Sequence, residues 1–188
     1  MNHNRHSRAF TLIELMVTIA IAAILLAVAV PSFTNFSQRR AVSLKTVQVR
    51  NALELARGQA ISQHQAWIVC PVDALNDCVK TDGLRLLVFR DDNDDKGFTA
   101  GEPLLQDIDI NSIELTLSSL GNYVLFASNG EARYSGNIEI CSSNQSFDYG
   151  RRVIFVLSGR VRLTSDSDGD GYDDTGGTKI QCHVPPTP

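Results

Sequence analysis

Residues 1–31 read MNHNRHSRAFTLIELMVTIAIAAILLAVAVP. Positions 10–30 of this stretch hold 21 residues and a single charge, Glu14. As a helix the run spans about 31 Å, close to the thickness of a bilayer's hydrocarbon core. Arg5 and Arg8 precede it, as basic residues do on the cytoplasmic flank of a span. A cleaved signal peptide would have a shorter apolar core with a small-residue cleavage site after it. No such site follows this run, which Pro31 closes. Length and flanks alone describe a plain membrane anchor, and Glu14 argues against that. An acidic residue at the centre of a span costs roughly 2.5–3.5 kcal/mol, less near an end. No Lys, Arg or His lies between Phe10 and Pro31 to offset it. A cut between Ala9 and Phe10 would create a partner, because it leaves a positive amine on Phe10, four residues before Glu14. That amine is close within one helix and equally available to a neighbouring subunit.

Beyond Pro31 the pattern stays helical to about residue 63. Val42, Val49, Leu53, Ala56 and Ala60 recur at spacings that place them on one face. Arg39, Arg40, Lys45, Arg50 and Arg57 mostly point elsewhere. The simplest arrangement is one continuous helix, apolar in its first half and amphipathic in its second, with Pro31 placed where a kink is expected. Strand-like runs follow at 66–71, 83–89, 113–117, 123–127, 138–141, 152–157 and 161–163. They are separated by SNGE, SGN, DYG and SGR turns. Connections of hairpin length imply an antiparallel sheet. The closing VPPTP should be loose.

The chain has 188 residues and a formal charge of -4. Some 125 residues remain for a globular part, enough for one domain with a real core. An acidic balance excludes bulk attraction to nucleic acid, so any such binding needs a local patch. The cysteines are Cys70, Cys78, Cys141 and Cys182. None forms a CxxC pair, and the histidines do not sit at zinc spacing from them. An even count behind an export segment favours two disulfides in an oxidising compartment. Three pairings are possible. The favoured one joins Cys70 to Cys78, closing a short loop, and Cys141 to Cys182, stapling the tail to a strand.

AFTLIEL carries a short basic leader, Phe at the cut, Glu at the fifth mature position and Pro31 at the twenty-second. This resembles the class III signal of type IV pilins and type II secretion pseudopilins. In that family a membrane peptidase removes the leader on the cytoplasmic side and N-methylates the new terminus. The resemblance assigns cleavage and methylation to Ala9 and Phe10, and assembly to Glu14 and Pro31. Ala9 stands where the family usually has Gly, and a small residue still fits there. Further along come LARGQAI, then LLVFRDDND with AGEPLL, then FASNGEARYSGNIEIC and GRRVIFVLSGRVRL. In that order they resemble the H-type minor pseudopilin family, which includes FimT- and FimU-like minor pilins. The resemblance implies an α+β type IV pilin fold, a long N-terminal helix with a transmembrane first half packed on an antiparallel, sandwich-like β domain. The expected divisions are a leader at 1–9, a transmembrane and filament-core helix at 10–31, and an amphipathic helix at 32–63. A β-rich domain follows at 64–163 and an acidic, partly disordered tail at 164–188. The implied function is structural, in a type IV pilus or secretion pseudopilus. The implied partners are other pilins or pseudopilins, the prepilin peptidase and the bacterial inner membrane, crossed once with the globular domain in the periplasm.

The residues raise two other chemistries. Asp166, Asp168 and Asp170 alternate, with Gly171 next and Asp173 and Asp174 beyond. Alternating carboxylates around a turn suit calcium, with Asp166, Asp168, Asp170 and Asp174 as ligands. Gly177, however, occupies the twelfth place, where an EF-hand has Glu, and a solvated acidic turn is the plainer reading. Asp91, Asn93, Asp95 and Glu102 have EF-hand spacing too, but Lys96 stands where Gly belongs, so a polar hairpin loop is expected. The alternative function is DNA capture. Gly159-Arg160-Val161-Arg162 resembles the GRxR motif of FimT-like pilins used in natural transformation. Arg160 and Arg162 would share one face of a strand, with Arg151 and Arg152 one strand away. Together they could grip phosphates without reading sequence. Against this, five aspartates follow within twelve residues of Arg162. No GxSxG, HExxH or Walker loop occurs, so no enzyme is expected.

Overall fold

The structure is a computed structural model that describes residues 12–143, 149–170, 173–175, 178–180 and 182. The proposed cut at Ala9 and Phe10, and the VPPTP end, lie outside the described residues. One helix, α1 (Leu12–Gln63), opens the chain and runs unbroken through Pro31. The chain divides into two units, Met1–Ser37 and Gln38–Pro188.

In the first unit α1 is apolar all round and long enough to cross a membrane. Among the described side chains, the large apolar ones from Leu12 through Val30 are exposed. A helix that is hydrophobic on every side needs an apolar surround, in lipid or among other helices. The Thr18 hydroxyl donates to the Leu15 carbonyl at 2.8 Å, so even this polar group is satisfied inside the helix.

In the second unit α1 solves its own burial. Val42, Val49, Leu53, Ala56 and Ala60 are fully buried, as the spacing predicts, and so are Thr46 and Ala52. Thr46 completes the stripe because its hydroxyl donates to the Val42 carbonyl at 2.7 Å, leaving its methyl for packing. The eight main strands are β1 (Trp67–Val72), β2 (Arg85–Arg90), β3 (Leu104–Asp109), β4 (Ile113–Ser118), β5 (Val124–Phe126), β6 (Gly136–Ser142), β7 (Gly150–Phe155) and β8 (Val161–Leu163). They make two four-stranded sheets, ordered β3-β2-β1-β5 and β4-β6-β7-β8, and every pairing is antiparallel.

The two sheets are buried differently, and the sequence pattern follows. The helix stripe, one face of β1, β2 and β5, and the inner face of the second sheet form one core. Ile68, Cys70, Val72, Leu87, Phe89 and Leu125 form another on the opposite face of the first sheet, with Phe98 and Tyr123 packed on it. With both faces covered, β1 is buried at every position and reads as a continuous apolar run. Only one face of the second sheet is covered, so β4 alternates buried and exposed residues.

Two elements of the fold lie outside the sequence reading. The exposed, half-polar edge strand β3 was not anticipated. Neither was a short hairpin in the tail, β9 (Asp174–Thr175) with β10 (Thr178–Lys179). Within 164–188, expected to be an acidic, partly disordered tail, some of the described residues pack against the domain. Thr164, Asp173, Asp174 and Ile180 are buried, and Cys182 is bonded to Cys141. The other disulfide joins Cys70 to Cys78.

Arg57, within LARGQAI, ties the helix to two turns. Its Nε donates to the Gly130 carbonyl at 3.0 Å and its Nη2 to the Ser158 carbonyl at 3.4 Å. Gly159 has a φ of +75°, and a Cβ there would overlap the Gly130 carbonyl oxygen and press on Arg57. Gly58, on the same helix, faces open space. The two glycines should therefore respond oppositely to alanine. Gly58→Ala should stabilise the domain by roughly 0.5–1 kcal/mol through helix propensity. Gly159→Ala should destabilise it by more than about 1 kcal/mol. Urea unfolding of the detergent-solubilised chain, followed by Trp67 fluorescence, measures both.

Candidate functional site

Glu14 lies in the first turn of α1, where the helix dipole favours negative charge. Its neighbours Leu12, Ile13, Leu15, Met16 and Val17 are all at least half exposed. A carboxylate is thus carried at the start of a surface that has to be buried by something other than this chain's own core. Pro31 lies within the helix.

The four arginines do not form one cluster. Successive residues of a strand project to opposite faces, and Arg151 and Arg152 are successive residues of β7. Arg152 sits opposite Glu139 of β6, and its Nε donates to the Glu139 carboxylate at 2.5 Å. On the other face, Arg151 Nε donates to Asp173 Oδ2 at 2.9 Å, and the Thr164 hydroxyl donates to the same oxygen at 2.7 Å. Arg160 and Arg162 are exposed. Arg160 ends the tight β7–β8 turn, where its carbonyl accepts from the Val156 N–H at 3.2 Å. The expected four-arginine grip therefore reduces to two, because two internal carboxylates engage the other pair. The sequence signal for Arg151 was the buried-charge partner Asp173, hidden among surface-type aspartates.

Carboxylate oxygens of Asp166, Asp168 and Asp174 lie within 4.8 Å of one another, a span that could hold a divalent cation. Asp170 is not in that group; its N–H donates to Asp168 Oδ1 at 3.1 Å. Asp174 Oδ2 already accepts from the Ser167 N–H and hydroxyl, at 3.1 and 2.7 Å. Glu139, Cys141 and Cys182 also converge, but the two sulfurs are bonded to each other and offer no thiolate. The other acidic stretch, Asp91 to Glu102, joins β2 to β3. There the Gly97 N–H, followed by the Asn93 amide, holds the Asp95 carboxyl below its ordinary range. The Arg90 guanidinium does the same for Asp92, chiefly by hydrogen bonding.

By fold, a long N-terminal helix with a first-turn glutamate, followed by antiparallel sheets, defines a pilin-like protein. The family match is direct. Residues 46–159, more than half of the chain, match the family described as type II transport protein GspH, and the chain belongs to that family. Residues 4–30 match the prokaryotic N-terminal methylation motif. Among solved structures, the chain is similar to the minor pseudopilin EpsH from the type II secretion system of Vibrio cholerae. That protein is 17% identical, with 70% of this chain and 99% of that one covered and a TM-score of 0.51. It is also similar to the Pseudomonas aeruginosa type IV minor pilin FimU, at 19% identity, 69% and 92% coverage and a TM-score of 0.49. No curated protein matches significantly.

The arginine geometry makes a prediction of opposite weights. Arg151→Ala should destabilise the domain by about 1–3 kcal/mol, because it strips a buried carboxylate of its charged donor. Arg162→Ala should change stability by no more than about 0.5 kcal/mol. Equal losses in urea unfolding would show that Asp173 does not anchor the tail through Arg151.

Proposed function

We propose that this chain is a minor pilin or pseudopilin, a structural subunit that joins a type IV pilus or a secretion pseudopilus through its helix. One observation carries the reading. The first half of α1 exposes apolar side chains on every side, yet carries an acidic residue in its first turn. A lipid anchor alone has no use for that carboxylate. A bundle of such helices does, if each Glu14 meets a terminal amine on its own or a neighbouring subunit.

In this reading the leader faces the cytoplasm, where the prepilin peptidase cuts before Phe10 and methylates the new terminus. The apolar helix crosses the inner membrane once, and the domain 38–188 folds in the periplasm. The basic residues Arg5 and Arg8 support that orientation, and two disulfides suit an oxidising compartment. Assembly moves the helix from lipid into contact with other helices, and Glu14 sets the axial register. The work of such a subunit is packing. DNA capture through Arg160 and Arg162 gains no particular support, since Arg151 and Arg152 are engaged by Asp173 and Glu139.

Glu14→Ala separates anchorage from assembly. The variant should reach the inner membrane at normal levels, because the substitution only makes the span more apolar. Its share in the sheared filament or pseudopilus fraction should fall to a small fraction of the parent's. Incorporation equal to the parent's would remove Glu14 from assembly.

A further inference from the structure

The β2–β3 loop reads DDNDDKGFTAGE over residues 91–102. Its twelve positions follow the plan of an EF-hand calcium loop, with Asp91, Asn93 and Asp95 at the first, third and fifth and Glu102 at the twelfth. At the sixth, where the plan requires Gly for a sharp turn, stands Lys96. The backbone nevertheless keeps a glycine-like conformation there, with a φ of +66°. Phe98 anchors the loop to the domain, packed edge-on against Phe89 with ring centroids 5.4 Å apart.

The lysine side chain turns back into the loop. Its ammonium donates to Asp91 Oδ2 at 3.2 Å, to the Asp94 carbonyl at 3.1 Å and to the Asp94 carboxylate. Asp91 is the first ligand position, and its side chain is only 1% exposed. Its other oxygen, Oδ1, is buried with no hydrogen-bond partner. A buried carboxylate of this kind needs a cation beside it, and Lys96 is the one the loop provides. The remaining ligand-type groups are closed on internal donors. Asp95 Oδ2 accepts from the Asn93 amide at 2.8 Å and the Thr99 hydroxyl at 3.0 Å. The two Glu102 oxygens accept the N–H groups of Asp92 and Thr99, at 2.9 and 2.8 Å. Among the described residues, no three carboxylates of this loop converge to metal-binding distance.

We propose that Lys96 is a tethered cation: its ammonium takes the place a divalent ion has in a calcium loop, and makes this loop independent of metal. Because the ammonium is attached to the loop, its effective concentration at Asp91 does not vary with the medium. Extracellular calcium modules, by contrast, are held together only by millimolar-range ion. The β2–β3 connection, and the Phe98 contact that covers the outer face of the first sheet, then keep their shape whatever calcium is present. This inference does not depend on the assembly role proposed above.

The test uses the full chain in detergent, with Asp166→Asn and Asp168→Asn throughout so that the tail cannot answer for the loop. Melting temperature is read in chelator and in millimolar calcium chloride for Lys96 itself, Lys96→Gly, Lys96→Gly with Asp91→Asn, and Lys96→Gln. With Lys96 present, calcium should leave the melting temperature unchanged. Lys96→Gly should melt lower in chelator and regain about 4–8 °C in calcium, a gain that Asp91→Asn abolishes. Should Lys96→Gly not fold in chelator, folding restored by calcium counts as the same gain. Lys96→Gln, which keeps the length and loses the charge, should melt lower than the parent in chelator. A calcium response with Lys96 in place would overturn the proposal, as would a Lys96→Gly variant indifferent to calcium or a Lys96→Gln variant as stable as the parent.

Discussion

A helix that is apolar on every side needs an apolar surround on every side. That constraint governs the first half of α1, whose described large side chains between Leu12 and Val30 stand exposed. Lipid can cover them, and so can other helices. A surface that accepts both covers suits a subunit that is first anchored and later extracted into a filament. Glu14 is the one acidic residue of the span, and its charge is a cost in lipid; in the assembly proposed above it would set register among helices that carry terminal amines. Beyond residue 37 the same helix obeys the opposite rule. A stripe from Val42 through Thr46, Val49, Ala52, Leu53 and Ala56 to Ala60 is buried, while the opposite side is half-buried or exposed.

The domain that buries this stripe is held by contacts distant in sequence. Arg57 spans from the helix to the carbonyls of Gly130 and Ser158, so one side chain fixes two turns against α1. Gly159 allows the two turns to approach because it has no side chain to interpose. At the far edge of the second sheet, Asp173 receives both Arg151 and Thr164, and the Cys141–Cys182 disulfide closes the tail behind them. Acidic residues that look like solvated surface in the sequence thus include one structural anchor.

Much of the fold could be read from the residues, and the misses have physical reasons. The helix stripe was legible because five apolar residues recur at helical spacing, whereas Thr46 was missed because a hydroxyl conceals its methyl. The strand β1 was plain because burial on both faces made it wholly apolar. β3 was obscure because an exposed edge strand such as LLQDID imposes little pattern. The arginines show the limit of counting charges: Arg151 and Arg152 are adjacent in sequence, yet strand geometry sends them to opposite faces and different carboxylates. In the β2–β3 loop the departure at Lys96 was visible, but only the structure brings its ammonium to Asp91. The family resemblance rested on the N-terminal motif and on segments of the domain taken in order, and the family matches cover both regions.

The account turns on a first-turn carboxylate meeting, in an apolar bundle, the amine that proteolysis creates at Phe10. Intact-mass and N-terminal sequencing of the chain recovered from cells bears on this most directly. The account predicts a mature protein that begins at Phe10 with a methylated amine. A chain that retains Met1, even when taken from an assembled filament fraction, would contradict it.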